Sequence, residues 1–169
     1  MKSLPIPDAH HLRAAQGWFE LGNPVEAFAE LDHIAPLLRA HPEVLKLRCQ
    51  IYQRAKKWDL CIEVASSLVN HLPGDPLGWI LRSFALHELK RTQEAYDMLL
   101  PVGDRFPQNW TVPYNLACYC AQLRDFPAAE SWFKQAMTID EHTVKRIGID
   151  DPDLTPLWDN LSGTLWKRT

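Results

Sequence analysis

Small side chains recur along this chain at a constant interval of 34 residues. They form two parallel series, and each member of the second series follows a member of the first by twelve residues. The first series is Ala15, Cys49, Ser83 and Ala117, and the second is Ala27, Cys61, Ala95 and Ala129. Because antiparallel helices approach closely only where small side chains meet, the pattern predicts four pairs of antiparallel helices.

Apolar residues follow each member of the second series by four and by seven positions. They are Leu31 and Ile34, Ala65 and Leu68, Leu99 and Val102, and Phe133 and Ala136. Residues with this spacing share one helix face, so the second helix of each pair is predicted to bury one apolar side.

Prolines separate the predicted helices. Those that open or close helices are Pro24, Pro42, Pro73, Pro76, Pro107 and Pro127, and those expected to end or kink second helices are Pro36 and Pro101.

The period, the small residues and the proline spacing together resemble the tetratricopeptide repeat. Residues 114–117 and 125–129 look most like its consensus, and Trp79, Trp18 and Tyr52 stand at its aromatic positions. The resemblance implies an all-α fold, an α-solenoid of antiparallel helix pairs wound into a right-handed superhelix. We expect a single domain over residues 1–169, with repeats at 8–41, 42–75, 76–109 and 110–143 and degenerate capping helices at 144–169.

The C-terminal segment departs from the repeat. Gly148 and the run Asp150-Asp151-Pro152-Asp153 are expected to stop a helix that starts near Val144. A last amphipathic helix is predicted to begin at Thr155-Pro156 and to cover the final repeat. Its apolar stripe is Leu154, Leu157, Trp158, Leu161 and Leu165. We interpret the aspartates as a solvated turn that caps this helix rather than as a cation site.

Composition narrows the function classes. The net charge of −3 disfavours nucleic acid as a partner, because phosphate contacts need a surplus of Lys and Arg. No segment is apolar enough to predict a membrane span or a signal peptide, so a cytoplasmic protein without membrane contact is expected.

The four cysteines form no CxxC pair and are interpreted as free thiols. We expect no metal, no cofactor and no catalysis, since no motif for any of them is present.

In the tetratricopeptide-repeat family, the first helices of successive repeats line a concave groove. The resemblance therefore assigns partner binding to side chains on that face, while the C-terminal run is similar to tails in bacterial relatives. The candidate binding residues are Lys46, Gln50, Arg54, Ile80, Phe84, His87, Tyr114 and Cys118. Basic groups in the second repeat and apolar groups in the next two suit a peptide with an apolar anchor and acidic neighbours.

The leading hypothesis is a non-catalytic adaptor or scaffold, most simply a monomer, that binds one protein or peptide in this groove. One alternative is a small secretion-type or assembly chaperone. Another is a regulatory subunit or an enzyme with a groove site around His87 and Glu88. A further possibility concerns occupancy of the groove, since the chain's own terminal helix could fold back over Ile80 and Phe84.

Overall fold

The computed structural model describes residues 3–161, which form ten α-helices, two short 3₁₀ turns and no β-strand. The α-helices, in chain order, are α1 (Ile6–Glu20), α2 (Pro24–Asp32), α3 (Pro42–Arg54), α4 (Trp58–His71), α5 (Pro76–Glu88), α6 (Thr92–Leu99), α7 (Thr111–Gln122), α8 (Phe126–Ile139), α9 (Glu141–Gly148) and α10 (Thr155–Asn160). Among the described residues, no helix is long and apolar enough to cross a membrane. The all-helical prediction is confirmed.

The backbone itself repeats every 34 residues at the turn between the two helices of a pair. Gly22, Lys56, Lys90 and Arg124 all have positive φ values, from 53° to 79°. At each turn a backbone N–H bonds to the carbonyl five residues earlier, as in the bond from Asn23 to Trp18. This left-handed ending closes a helix and reverses the chain, so the sequence period corresponds to a repeated structural unit.

The helix ends follow the prolines. Helix α2 stops at Asp32, and Pro36 lies in the following 3₁₀ turn, Pro36–Leu38. Helix α6 stops at Leu99, and Pro101 lies in the 3₁₀ turn Leu100–Val102. Proline lacks the N–H that would continue the α-helical ladder, so both second helices end early, as predicted.

Met1–Ala85 and Leu86–Thr169 are two compact units, here called the first unit and the second unit. In the first unit α1 packs on α2, and α3 packs on α4. Ala15, Ala27, Cys49 and Cys61 are fully buried. The Cys61 thiol lies 3.7 Å from the Cys49 carbonyl oxygen, which shows directly how closely α3 and α4 approach.

In the second unit α7 and α8 form the main pair, and α6, α9 and α10 pack around them. Ala117 and Ala129 are fully buried, as are Leu154 and Leu157 beside and within α10. The C-terminal helix therefore covers apolar surface of α7 and α8. The last member of the predicted stripe, Leu165, lies outside the described residues.

Helix α9 ends where a side chain would not fit. A Cβ on Gly148 would lie 2.9 Å from the ring of Phe133, and the Gly148 carbonyl accepts a 3.0 Å hydrogen bond from the Trp158 indole. Phe133 and Trp158 also meet edge to face, with ring centroids 5.0 Å apart. These contacts fix the start of the polar segment 149–153 that follows α9.

We predict that Ala129→Leu destabilises the protein by about 1–3 kcal/mol, because a larger side chain between α7 and α8 forces strain on a full contact. Ser131→Leu, at an exposed position of the same helix, is the matched control and should change stability by less than about 0.5 kcal/mol. Urea unfolding of both variants measures the difference. Equal stability of the Ala129 variant and the native chain would show that the assigned helix contact is wrong.

Candidate protein-interaction groove

An open groove in the first unit is lined mainly by α1, α3 and α5, each of which is the first helix of its pair. It consists of two concavities of about 340 and 480 Å³, and Gln50 lines both of them. The side chains come from α1, α3, α5, the turn between α3 and α4, and the start of α4. The first concavity is lined by Leu12, Arg13, Gln16, Glu43, Lys46, Leu47, Gln50 and Leu77. The second is lined by Phe19, Gln50, Gln53, Arg54, Lys56, Trp58 and Phe84.

The groove of the first unit is basic, although the chain as a whole is acidic. Four of its lining side chains are cationic, whereas Glu43 is the only acidic side chain among those that line the two concavities. The cationic residues are Arg13, Lys46, Arg54 and Lys56. Against a net charge of −3, this local surplus makes the groove a favoured place for acidic groups.

Lys46 is held by a carboxylate that the sequence did not single out. Its ammonium nitrogen lies 2.5 Å from Oδ2 of Asp75, while Oδ1 of Asp75 accepts a hydrogen bond from the Leu77 N–H at the start of α5. Partial burial acts to raise the pKa of Asp75, but hydrogen bonds from Lys46 and Leu77 and the lysine charge outweigh it and lower that pKa. Asp75 is therefore ionised at neutral pH and partly neutralises Lys46.

Aromatic rings flank the cationic groups at the other end of this groove. The Arg54 guanidinium lies 5.3 Å from the centroid of the Phe19 ring and donates a 2.9 Å hydrogen bond to the Phe19 carbonyl. Trp58 and Phe84 meet edge to face, with ring centroids 5.8 Å apart. Arg54 is thus oriented by packing and by one hydrogen bond, and its planar guanidinium has further N–H groups with which to contact a ligand.

The sequence-predicted binding residues fall in both units. Lys46, Gln50, Arg54 and Phe84 line the groove of the first unit, and Ile80 lies half-buried in α5. The other three predicted residues, His87, Tyr114 and Cys118, belong to the second unit. They are only 4–5% exposed, so they are not an open surface.

The polar segment 149–153 of the chain itself covers these three residues. The Tyr114 hydroxyl donates a 2.5 Å hydrogen bond to Oδ2 of Asp151, and the Cys118 thiol lies 3.9 Å from the same oxygen. Burial, with the nearby thiol and carboxylates, raises the pKa of Tyr114, so its hydroxyl remains a proton donor. Burial likewise raises the pKa of Cys118 and keeps its thiol protonated.

Asp153 makes the second pair of contacts. Its Oδ2 lies 3.1 Å from Nε2 of His87, and its backbone carbonyl accepts a 2.9 Å hydrogen bond from the side-chain amide of Gln122. The other nitrogen of His87, Nδ1, lies 3.0 Å from the Thr92 hydroxyl. In a neutral ring these contacts place the proton on Nε2, where it faces the carboxylate, and leave Nδ1 to accept from Thr92.

The interpretation of the aspartates as a solvated helix-capping turn was therefore wrong for Asp151 and Asp153. Asp151 binds side chains of α7, and Asp153 binds side chains of α5 and α7, because a loop anchored by buried Leu154 is brought against these helices. Asp151 also accepts a local hydrogen bond from the Asp153 N–H, which keeps the turn compact. The spacing of the aspartates was visible in the sequence, but their partners, 31 to 66 residues away, were not.

Within residues 3–161, no group of three or more His, Cys, Asp or Glu side chains has the arrangement of a metal site. The two ring nitrogens of His87 contact the Thr92 hydroxyl and the Asp153 carboxylate. Glu88 is therefore not the hydrogen-bond partner of this ring. These two contacts orient the imidazole toward Asp153.

Comparison with solved structures identifies the fold. The MamA RS-1 ArsTM double mutant aligns with a TM-score of 0.71 at 15% identity, covering 80% of this chain and 76% of that chain. TTC0263, a thermophilic TPR protein in Thermus thermophilus, aligns with a TM-score of 0.70 at 17% identity, over 92% of this chain and 84% of its own. MamA AMB-1 gives 0.67 at 15% identity, with coverages of 94% and 84%.

No family model and no curated protein sequence matches the chain. The structural likeness is nevertheless extensive along the chain, and it agrees with the 34-residue period of small residues and of left-handed turns. The protein has the tetratricopeptide-repeat fold.

We predict that the hydroxyl of Tyr114 and the carboxylate of Asp151 are energetically coupled. A double-mutant cycle with Tyr114→Phe and Asp151→Ala should give a coupling free energy of about 1–2 kcal/mol, as expected for a hydrogen bond to a charged group. The cycle of Tyr114→Phe with Asp150→Ala, a neighbouring exposed carboxylate, is the control and should be additive. Additivity within about 0.3 kcal/mol in the first cycle would contradict the assigned contact.

Proposed function

We propose that this protein is a non-catalytic interaction module that binds a partner protein through a peptide segment in the groove of its first unit. The tetratricopeptide-repeat fold supports a scaffold role in general terms, because it presents first helices side by side along one face. The partner segment we propose carries an apolar anchor with acidic residues beside it.

The observation that carries this proposal is the composition of the open groove. Four cations line it in a chain of net negative charge, and the half-buried rings of Phe19, Trp58 and Phe84 line the same concavity as two of them. Aromatic side chains in a desolvated pocket supply most of the binding free energy at such surfaces, while surrounding charges select the partner and speed its arrival. An acidic segment with one large apolar side chain matches both features.

The ion pair of Lys46 with Asp75 sets how strongly the groove can attract a partner carboxylate. Asp75 partly neutralises Lys46 in the unbound protein, and the two side chains are 34% and 27% exposed. A partner carboxylate that approaches Lys46 meets this existing pair, so it gains only part of the lysine charge. Removal of the Asp75 charge should therefore strengthen, not weaken, the binding of an acidic partner.

Peptide selection provides a probe whose chemistry is known. A library of random peptides displayed on phage is selected against the native chain, and the enriched peptides are synthesised for calorimetry. The proposal expects enriched sequences that combine acidic residues with an aromatic or large aliphatic side chain. Enrichment of basic or purely polar sequences would contradict it.

We predict that Phe84→Ala weakens binding of the selected peptides by about tenfold or more, because truncation of a buried anchor removes its contact area. Leu37→Ala removes an apolar side chain that is 95% exposed outside the groove and is the matched control. Titration calorimetry on both variants, with circular dichroism to confirm the helices, measures the change. Equal dissociation constants for the Phe84 variant and the native chain would move the site elsewhere.

Charge substitutions should act in opposite directions on the same peptides. Lys46→Met is predicted to weaken binding severalfold, and Asp75→Asn to strengthen it, with both effects shrinking as salt is added. The asparagine keeps an oxygen that can accept the Leu77 N–H, so the start of α5 is preserved. Lys134→Met, an exposed lysine on α8, is the control for lost positive charge. Weakened binding by Asp75→Asn would contradict the proposed carboxylate recognition.

A further inference from the structure

His87, Tyr114, Cys118 and Gln122, here called the floor, hold the polar segment 149–153. The floor has the chemistry of a binding site rather than of a packed core. His87, Tyr114 and Cys118 carry polar atoms in nearly buried positions, and each of these atoms is directed at a carboxylate oxygen. A buried donor without a partner is costly, so these side chains need hydrogen-bond acceptors, which the two carboxylates supply. Gln122, which lies at the rim, adds a contact to the occupant's backbone.

The polar segment 149–153 is less buried than the residues on either side of it. In the segment, Asp150 and Pro152 are exposed, and Ile149 is 51% exposed. Among the described residues, its backbone–backbone hydrogen bonds are local turn bonds, from Leu154 to Asp151 and from Thr155 to Pro152. One longer-range bond, from the Gln122 side chain to the Asp153 carbonyl, also reaches this backbone. On either side, Gly148 and Leu154 are buried. Polar contacts without apolar burial open at lower free-energy cost than packed helices do.

The two carboxylates are spaced to match the floor. Asp151 and Asp153 are separated by one residue, and the exposed Pro152 between them directs no group into the floor. Asp151 meets Tyr114 and Cys118 on α7, and Asp153 meets His87 at the end of α5 and Gln122 at the end of α7. The floor thus recognises two carboxylates at i and i+2 together with the backbone carbonyl of the second.

We propose that His87, Tyr114, Cys118 and Gln122 form a second peptide-binding site, specific for an Asp-x-Asp segment. Residues 151–153 occupy this site in cis, and a partner segment of the same chemistry exchanges with them. The site belongs to the second unit and shares no residue with the groove proposed for the first unit. A tethered segment competes at a high effective concentration, so the native chain masks the site against a free peptide.

The test uses the full chain with a fluorescein-labelled peptide that has the sequence of residues 149–156, Ile-Asp-Asp-Pro-Asp-Leu-Thr-Pro. In the opened variant Asp151→Gly, Pro152→Gly and Asp153→Gly remove the cis carboxylates and keep the loop length. Fluorescence anisotropy is expected to show that this variant binds the peptide about tenfold or more tightly than the native chain does. A peptide with asparagine in place of the two matching aspartates is the ligand control and should bind at least about tenfold more weakly.

Two further variants connect the signal to the floor. Tyr114→Phe, added to the opened variant, should weaken peptide binding several-fold, because it removes the donor to the first carboxylate. Lys46→Met, in the groove of the first unit, should leave this binding unchanged, so failure here is distinguishable from failure of the proposed function. Equal binding of the aspartate and asparagine peptides, or equal binding by native and opened chains, would overturn the proposal.

A second opened variant covers the case in which the glycines unfold the C-terminal helices. Asp151→Asn with Asp153→Asn keeps the shape of the segment and removes its charges, and circular dichroism reports whether the helices persist. This variant should also bind the aspartate peptide more tightly than the native chain does. If it folds and binds no more tightly, the segment is part of the structural cap only and the proposal is wrong.

Discussion

Antiparallel helices approach closely in this protein because small side chains stand where they meet, and the other features follow from that approach. Ala15, Ala27, Cys49, Cys61, Ala117 and Ala129 have no exposed surface, and the 3.7 Å contact between Cys61 and the Cys49 carbonyl shows how near the backbones come. A bulky residue at any of these positions would separate the helices and expose the apolar faces that they share. Since each pair repeats after 34 residues, each also ends in the same left-handed turn.

This packing uses the faces of the helices that meet and leaves other faces of the first helices available for binding. In the first unit, α1, α3 and α5 present side chains to an open groove that has cations in both concavities and aromatic rings in the second. In the second unit, the corresponding face of α7 is covered by two aspartates of the chain itself. The same architecture therefore presents one accessible basic surface and one acid-binding surface that is already occupied.

The sequence predicted the elements that depend on local spacing and missed those that depend on contacts between distant segments. The period of small residues, the early ends of α2 and α6 at their prolines, and the stop at Gly148 all follow from steric rules within a helix or turn. The partners of Asp75, Asp151 and Asp153 do not, because no local rule states which helix a loop carboxylate will meet. Burial of Tyr114 was missed for the same reason.

The proposed partner-binding surface is the groove of the first unit. Hydrogen–deuterium exchange of the native chain, with and without a peptide selected on it, is the sharpest test of this assignment, because it locates the contact without altering a residue. We expect slower exchange at amides of α1, of α3, of residues 77–84 in α5 and of the start of α4, with α2 and the rest of α4 unaffected. Slower exchange confined to α2, or to α8, would contradict the assignment.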